Sequence, residues 1–247
     1  MLVDIHAHLD AKSFKKDLDK VIERAKEAKV SVIINNGSNI ESNRKTLEIS
    51  KKYPIVKPAL GLFPWDALEL SEEEIYAEID FIKKEKPFAI GEVGLDYLKS
   101  KDKKQKIVFE KFIELSEKLK IPIIIHSRKA EQDCLDMLSS SKSRKIILHC
   151  FNGNKKQIKF AEDKNFMFSI PTIIKRSKHF QDLVKKVSLK NILTETDSPF
   201  LAPFEKTRNE PAFIKETIKQ ISVDKKLNEE EVEKMIFMNF QHTFLVK

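Results

Sequence analysis

Two histidines one residue apart, His6 and His8, close the first apolar run of the chain, Met1-Leu2-Val3-Asp4-Ile5. Side chains of a strand alternate faces, so these two imidazoles share one. An apolar core has no use for two adjacent polar rings, whereas a metal ion does. Ligand-type residues recur at the ends of four later apolar runs: Glu92 in AIGEVGLD, His126 in PIIIHSR, His149 in KIILHCFNG and Asp197 in ILTETDSPFLAP. Four histidines and two carboxylates are too many for one tetrahedral ion. They suit two divalent ions about 3.5–4 Å apart that activate a water between them. His6, His8, Glu92 and Asp197 are assigned to one ion. Glu92, His126 and His149 are assigned to the second, with Glu92 as the bridge. Imidazole and carboxylate donors together admit Mg2+, Zn2+ or Mn2+. Any one of these histidines, taken alone, reads better as a satisfied polar residue of a buried rim; it is the set that points to metal. The remaining two, His179 and His242, fall in helical stretches and are expected at the surface.

What must position such a set is a scaffold that brings the ends of many strands together. Strand-like and helix-like runs alternate along the whole chain. The strands are expected at 2–5, 31–35, 55–60, 87–90, 122–125, 145–148, 166–170 and 191–194. Each is a continuous apolar run, the pattern of a strand covered on both faces. Between them lie segments of helical periodicity at 14–29, 40–52, 103–119, 129–138, 155–164, 178–187 and 212–221. Another helix opens at Ser71-Glu72-Glu73-Glu74, a capping box. Eight such units over 247 residues imply an α/β fold, a (β/α)8 TIM-like barrel. An extra C-terminal helix opens at Asn228, with Glu231 three residues on. No linker, repeat or low-complexity stretch divides the chain, so 1–247 is read as a single domain. In this architecture chemistry sits at the C-terminal ends of the strands, and all six ligand candidates fall on that rim.

Composition narrows the class. Hydrophobic residues make up 41% and charged residues 34%, as in ordinary globular proteins. No apolar run is long enough to span a membrane, and no secretory leader is visible. Two cysteines, Cys134 and Cys150, do not make a disulfide framework, which fits a reducing, cytoplasmic location. The net charge of +8 permits a polyanionic partner without requiring one. Most of the 40 lysines read as a solvated surface.

With these motifs in hand the chain resembles the TatD family of metal-dependent hydrolases, within the amidohydrolase-like barrels. The resemblance runs through HAHLD, GLFPW, GEVGLDY, HSR, HCFNG and ETDSPFLAP to RNEP at 208–211, nearly the whole chain. It implies a two-metal deoxyribonuclease that cleaves DNA phosphodiester bonds in a 3′-to-5′ exonuclease-like manner. The second function that it implies is a D-aminoacyl-tRNA deacylase using the same metal centre, with tRNA as substrate. The family commonly has His where Phe63 stands, in a GxHP motif thought to contact the substrate phosphate. Phe63 neither donates a hydrogen bond nor binds metal. With Trp65 it offers a stacking face for a base, or it simply packs under its loop. A non-catalytic barrel is the reading this departure favours, against the presence of all six ligand types. A small-molecule amidohydrolase is disfavoured because Glu92 stands where many of those enzymes carry a modified lysine.

Roles follow from position. Asp197, at the metals and beside the expected water, is the candidate general base, and Glu92 is the other catalytic candidate. Glu195, two residues earlier on the same strand face, is a candidate to support a ligating histidine from behind. Asp96 is a candidate to orient a neighbouring ligand. Gly91 and Gly94 flank Glu92, where the backbone needs room. Arg128, Arg176 and Arg208 follow strands on the proposed rim, and guanidinium groups suit phosphate. With Lys129 and Lys175 they form an expected phosphate track, although Arg208 could instead hold the RNEP loop. Cys150 is expected to face the helices as a small buried residue.

Overall fold

The computed structural model describes residues 1–143 and 145–246. Eight parallel strands form one sheet in sequential order. They are β1 (Leu2–Ala7), β2 (Val30–Asn36), β3 (Val56–Leu60), β4 (Ala89–Asp96), β5 (Ile123–Arg128), β6 (Ile146–His149), β7 (Met167–Pro171) and β8 (Ile192–Glu195). The sheet curls into a barrel whose last seam is closed beyond the ladder. The Asp197 amide donates to the His6 carbonyl (2.8 Å) and the His8 amide to the Ser198 carbonyl (2.8 Å). Thr194 Oγ1 donates to the Val3 carbonyl at 2.7 Å. Closure removes the free sheet edges and brings β8, last in sequence, beside β1.

Helices alternate with the strands: α1 (Leu18–Glu27), α2 (Ile40–Lys52), α3 (Pro64–Glu69), α4 (Glu72–Glu85), α5 (Lys103–Leu119), α6 (Glu131–Ser139), α7 (Lys155–Asp163), α8 (Lys178–Lys186), α9 (Ile214–Lys225) and α10 (Glu229–Phe240). Their starts are written locally. Ser71 caps α4 and Asn228 caps α10, each in a reciprocal capping box with the glutamate three residues on. The core between strands and helices is aliphatic and aromatic. Ile123, Ile124 and Ile125 on β5 and Ile147 and Leu148 on β6 are fully buried, as are Phe109 and Phe112 on α5.

The expected alternation holds, with differences at the ends. β4 runs to Asp96, six residues past the apolar segment that announced it, because Glu92 and Asp96 continue the strand as buried polar residues. Helical periodicity over 14–29 resolves into a 3-10 turn at Lys12–Phe14 followed by α1. The short α3, opened by Pro64 at its first turn, carries Trp65 and has no counterpart in the sequence reading. Among the described residues no helix is long and apolar enough to cross a membrane.

Candidate metal centre

All six ligand candidates meet at the C-terminal mouth of the barrel. His6, a fully buried residue of β1, sits where the β1–β2 register shifts between Asp4 and Ala7. Glu92 sits on a similar irregularity of β4, between Ile90 and Val93. Such bulges re-aim a side chain out of the ladder, and here they turn both groups toward the barrel axis. Asp197 lies just past β8 with φ of 56°. That left-handed conformation is one Asp tolerates better than most residues, and it concentrates at functional sites. Gly94, at φ of 145°, lets β4 approach β5: a Cβ there would lie 1.9 Å from the His126 carbonyl oxygen.

Four donor atoms converge at one end. His6 Nε2 and His8 Nε2 are 3.2 Å apart. Glu92 Oε2 lies 3.5 Å from each. Asp197 Oδ1 lies 3.8 Å from His6 Nε2 and 3.4 Å from His8 Nε2. A tetrahedron with ~2.1 Å metal–ligand bonds has edges of about 3.4 Å, so these separations fit a single divalent ion. The other oxygen of Glu92 faces a second pair of rings: Oε1 is 2.8 Å from His126 Nδ1 and 3.8 Å from His149 Nε2. Three trios are each close enough to share an ion: His6, His8 and Glu92; Glu92, His126 and His149; and His6, His149 and Glu195.

The rings are held from behind. His8 Nδ1–H donates to the Asn36 carbonyl at 2.9 Å, leaving its Nε2 lone pair for the centre. His149 Nδ1–H donates to Glu195 Oε2 at 2.8 Å. Glu195 also accepts from the Cys150 amide at 3.0 Å and from Ser169 Oγ. His126 Nε2–H donates to Asp96 Oδ2 at 2.9 Å. Carboxylate–histidine pairs of this kind fix ring orientation and raise ligand basicity.

Burial and charge oppose each other here. Burial lowers the affinity of His8 and His149 for protons. The hydrogen bond to Asp197 and the charge of Glu92 outweigh it for His8, raised to about 9. Glu195 does the same for His149, raised to about 10. His6 goes the other way, to about 4, through burial and then the positive charge of His149. Burial pushes the Glu92 carboxyl up, but His126 and His6 hold it well below its ordinary range. Asp197 is likewise lowered, by His8, His149 and His6 against burial.

The residues offered for substrate contact divide. A cleft of about 620 Å³ opens over the donors, and Phe63, Trp65 and Arg128 line it. Arg208 does not reach it. That guanidinium forms a two-pronged pair with Asp17 (2.9 and 2.6 Å) and bonds the Ser13 carbonyl, so it braces the RNEP loop. Arg176 bonds the Ala202 carbonyl at 3.3 Å. Lys175 pairs with Glu216 at 2.7 Å. One face of Trp65 is covered by the Lys99 ammonium, 3.9 Å from the ring centroid. Cys150, expected against the helices, lines the cleft instead, because φ of 43° turns the chain just after β6. His179, expected at the surface, is half-buried, with its Nε2 bonded to the Phe151 carbonyl at 3.0 Å. Sequence reading missed Asn36, whose place at the end of β2 on the same rim was its signal. It also missed Phe200 and Asn152 in the cleft wall.

This architecture agrees with comparison to known proteins. The sequence model of the family described as TatD related DNase matches residues 3–245. The chain belongs to this family. It is 35% identical over 254 residues to the uncharacterized metal-dependent hydrolase YabD of Bacillus subtilis, covering both chains entirely. It is 34% identical to the human deoxyribonuclease TATDN3, over 94% of this chain and 90% of that one. The 3′-5′ ssDNA/RNA exonuclease TatD of Salmonella typhimurium is 29% identical over 90% of each chain. The crystal structure of YJJV, a TatD homologue from Escherichia coli, shares the fold with a TM-score of 0.91. It is 23% identical over 100% of this chain and 98% of that one. The chain is a metal-dependent hydrolase of the TatD family, and its His and Glu groups can bind metal.

Proposed function

We propose that this TatD-family hydrolase is a nuclease that shortens single-stranded DNA from its 3′ end with two divalent ions, Mg2+, Mn2+ or Zn2+. The observation that carries the reading is the division of Glu92. Its two oxygens face two different histidine pairs, Oε2 toward His6 and His8 and Oε1 toward His126 and His149. A bridging carboxylate in a two-ion site has this arrangement. The Salmonella 3′-5′ ssDNA/RNA exonuclease and the human deoxyribonuclease supply the substrate class.

Divalent ions bound here would supply Lewis acidity to phosphoryl oxygens and lower the pKa of an attacking water. The chain's own groups do the rest. His6, His8, Glu92 and Asp197 would hold one ion, and Glu92, His126 and His149 the other. Glu195 and Asp96 keep the His149 and His126 rings turned to the centre. Asp197 is ionised, because its neighbours keep its carboxyl below the ordinary range. One of its oxygens faces His8, and its carboxylate is placed to take the proton that the water gives up. Arg128 at the mouth meets phosphoryl charge. The domain is 1–247, acting in the cytoplasm.

A paired assay tests this: 5′-labelled single-stranded DNA in one arm and D-aminoacyl-tRNA in the other. Each is run with added divalent ion, with EDTA, and with Asp197→Asn. Metal-dependent laddering from the 3′ end, lost in the variant, is expected. Deacylation with intact DNA transfers the function to ester hydrolysis on tRNA. Near-normal rates in Asp197→Asn remove that residue from the proton transfer.

A further inference from the structure

An unbroken row of rings crosses the floor of the cleft. Trp65 meets Phe63 edge to face at 5.5 Å, and Phe63 meets His126 at 4.8 Å. His126 and His149 are 6.2 Å apart, and His149 stacks on His6 at 3.7 Å. His6 meets His8 at 4.9 Å, and His8 meets Phe200 at 6.2 Å. The four imidazoles in the middle surround the carboxylates, and larger aromatic rings stand at both ends, Trp65 with Phe63 at one and Phe200 at the other. The two ends differ. Phe63 is half-buried and already committed, edge-on, to His126 and Trp65. Phe200 is 60% exposed and has a ring neighbour on the His8 side only.

One exposed phenylalanine is unremarkable on a protein surface. What separates Phe200 from the other exposed apolar residues is a rigid mounting beside the metal donors. Its amide donates to the Asp197 carbonyl at 2.8 Å. Its own carbonyl accepts from Asn209 Nδ2 at 2.6 Å. The next carbonyl, of Leu201, accepts from Thr172 Oγ1 at 2.8 Å. The backbone is thus fixed from three sides while the ring, which adds little to the core, stands in solvent at the mouth.

We infer that Phe200 is a substrate-binding residue: a platform on which a nucleobase adjoining the scissile phosphodiester stacks while the phosphate lies over the His–carboxylate centre. The inference rests on the nuclease reading above and extends it to the base. A phosphodiester drawn to the middle of the row places its flanking bases toward the two ends; at one end Lys99 covers a face of Trp65 and Phe63 is engaged edge-on, while at the other the Phe200 ring stands exposed. Stacking on an aromatic side chain is indifferent to base identity, since every base has a π-face. It does require a base free of its own neighbours, so the platform selects unpaired ends over duplex.

The test uses metal-loaded full-length protein and four single-stranded DNA oligonucleotides. One is unmodified. Two carry a tetrahydrofuran abasic residue at the terminal or the penultimate 3′ position, one on either side of the first bond cut. The last carries it at both. Wild type is expected to lose roughly tenfold in kcat/KM when the stacking base is missing from one of the two positions. Phe200→Ala should cleave the unmodified strand at that same reduced rate and show no further loss on the abasic strands, and Phe200→Trp should restore the discrimination. The Tm of Phe200→Ala should match wild type, because the lost ring is solvent-exposed. If Phe200→Ala keeps the wild-type discrimination, or loses equally on base-bearing and abasic strands, the platform is refuted while the nuclease stands. If wild type cuts none of the four, the nuclease reading itself fails and takes the platform with it.

Discussion

His6 and His8 approach each other Nε2 to Nε2 at 3.2 Å. In the neutral His8 ring the Nδ1 hydrogen is spent on the Asn36 carbonyl, so its Nε2 presents a lone pair to the centre. Two such nitrogens beside two carboxylates are a site for a cation, and without a metal the cation is a proton. His8 and His149, raised to about 9 and about 10, carry protons at neutral pH in the metal-free protein. A divalent ion must displace them. Calorimetric metal titrations at neutral pH in buffers of different ionisation enthalpy should therefore show net proton release, with affinity rising toward pH 9. Heats that do not depend on the buffer would contradict this account of the donors.

The same groups set the pH dependence of the chelated protein. His8 and His149 have folded values above the 6.5 of a free imidazole. Their contribution to stability is full below pH 6.5 and is lost as pH rises through about 9 and about 10. Asp4, fully buried, is raised by burial from 3.8 to about 8, against hydrogen bonds from Thr196. Its contribution is likewise full below 3.8 and lost as pH climbs to about 8. In EDTA the Tm should fall steadily from pH 6.5 to 10, and saturating metal should flatten the fall. Asp4→Asn, which keeps an acceptor for the Thr196 and His6 amides, should decline less between pH 5 and 8 than wild type in scanning fluorimetry. Parallel curves for the two proteins would show that ionisation of Asp4 plays no part.

Much of this centre was legible because barrel strands announce themselves as apolar runs, and polar ligand types at their ends stand out against them. His6, Glu92, His149 and Asp197 were visible on those grounds. What stayed hidden depends on backbone conformation or on partners distant in sequence. Cys150 turned from the helices to the cleft through a left-handed φ that Cys does not advertise. Arg208 read equally as a phosphate ligand or as a brace of the RNEP loop, and its partner Asp17, 191 residues away in sequence, could not be named from the motif. β4 outran its apolar segment because two of its interior positions, Glu92 and Asp96, are polar and buried.

In the proposed two-ion centre, Glu195 and Asp96 support the ligands His149 and His126. Glu195→Gln and Asp96→Asn each keep one accepting oxygen where the carboxylate has two, serving both the ring and a backbone amide, Cys150 or Leu98, and remove the negative charge. Each ring loses the charged partner that raises its basicity as a ligand, and metal affinity should fall roughly 10–100-fold. Competition with a fluorescent chelator measures this directly. The fold should survive, so far-ultraviolet circular dichroism is expected to match wild type. Unchanged metal affinity in either variant would show that its carboxylate does not support the ligand.

Gly94 is where room for the site is built into the backbone. Alanine there faces two costs at once: a φ of 145° that side chains rarely adopt, and a Cβ 1.9 Å from the His126 carbonyl oxygen. Backbone cannot swing aside as a side-chain tip can, so β4 and β5 must separate. A loss of about 3 kcal/mol or more is expected, read as a lower urea midpoint. His126 would be displaced with it. A variant as stable as wild type would mean that the strands can part without cost.

Arg128 and Arg208 follow strands on the same rim yet are built for different work. Arg208 is paired with Asp17, which draws the Asp17 carboxyl down, and its guanidinium lies 4.6 Å from the Phe14 ring centroid. Removing it should loosen the 197–210 loop against the start of α1, at a cost of about 1 kcal/mol for a half-exposed pair, and leave the affinity for DNA unchanged. Arg128 lies in the cleft wall and has no ion-pair partner among the described residues. Arg128→Ala should leave Tm unchanged but weaken binding of single-stranded DNA, measured by anisotropy in Ca2+ to prevent turnover. The log–log salt slope should shrink by about 0.7, the value for one phosphate contact on a single strand. A salt slope reduced by Arg208→Ala and untouched by Arg128→Ala would reverse the assignment and restore a phosphate path along the β8 side of the mouth.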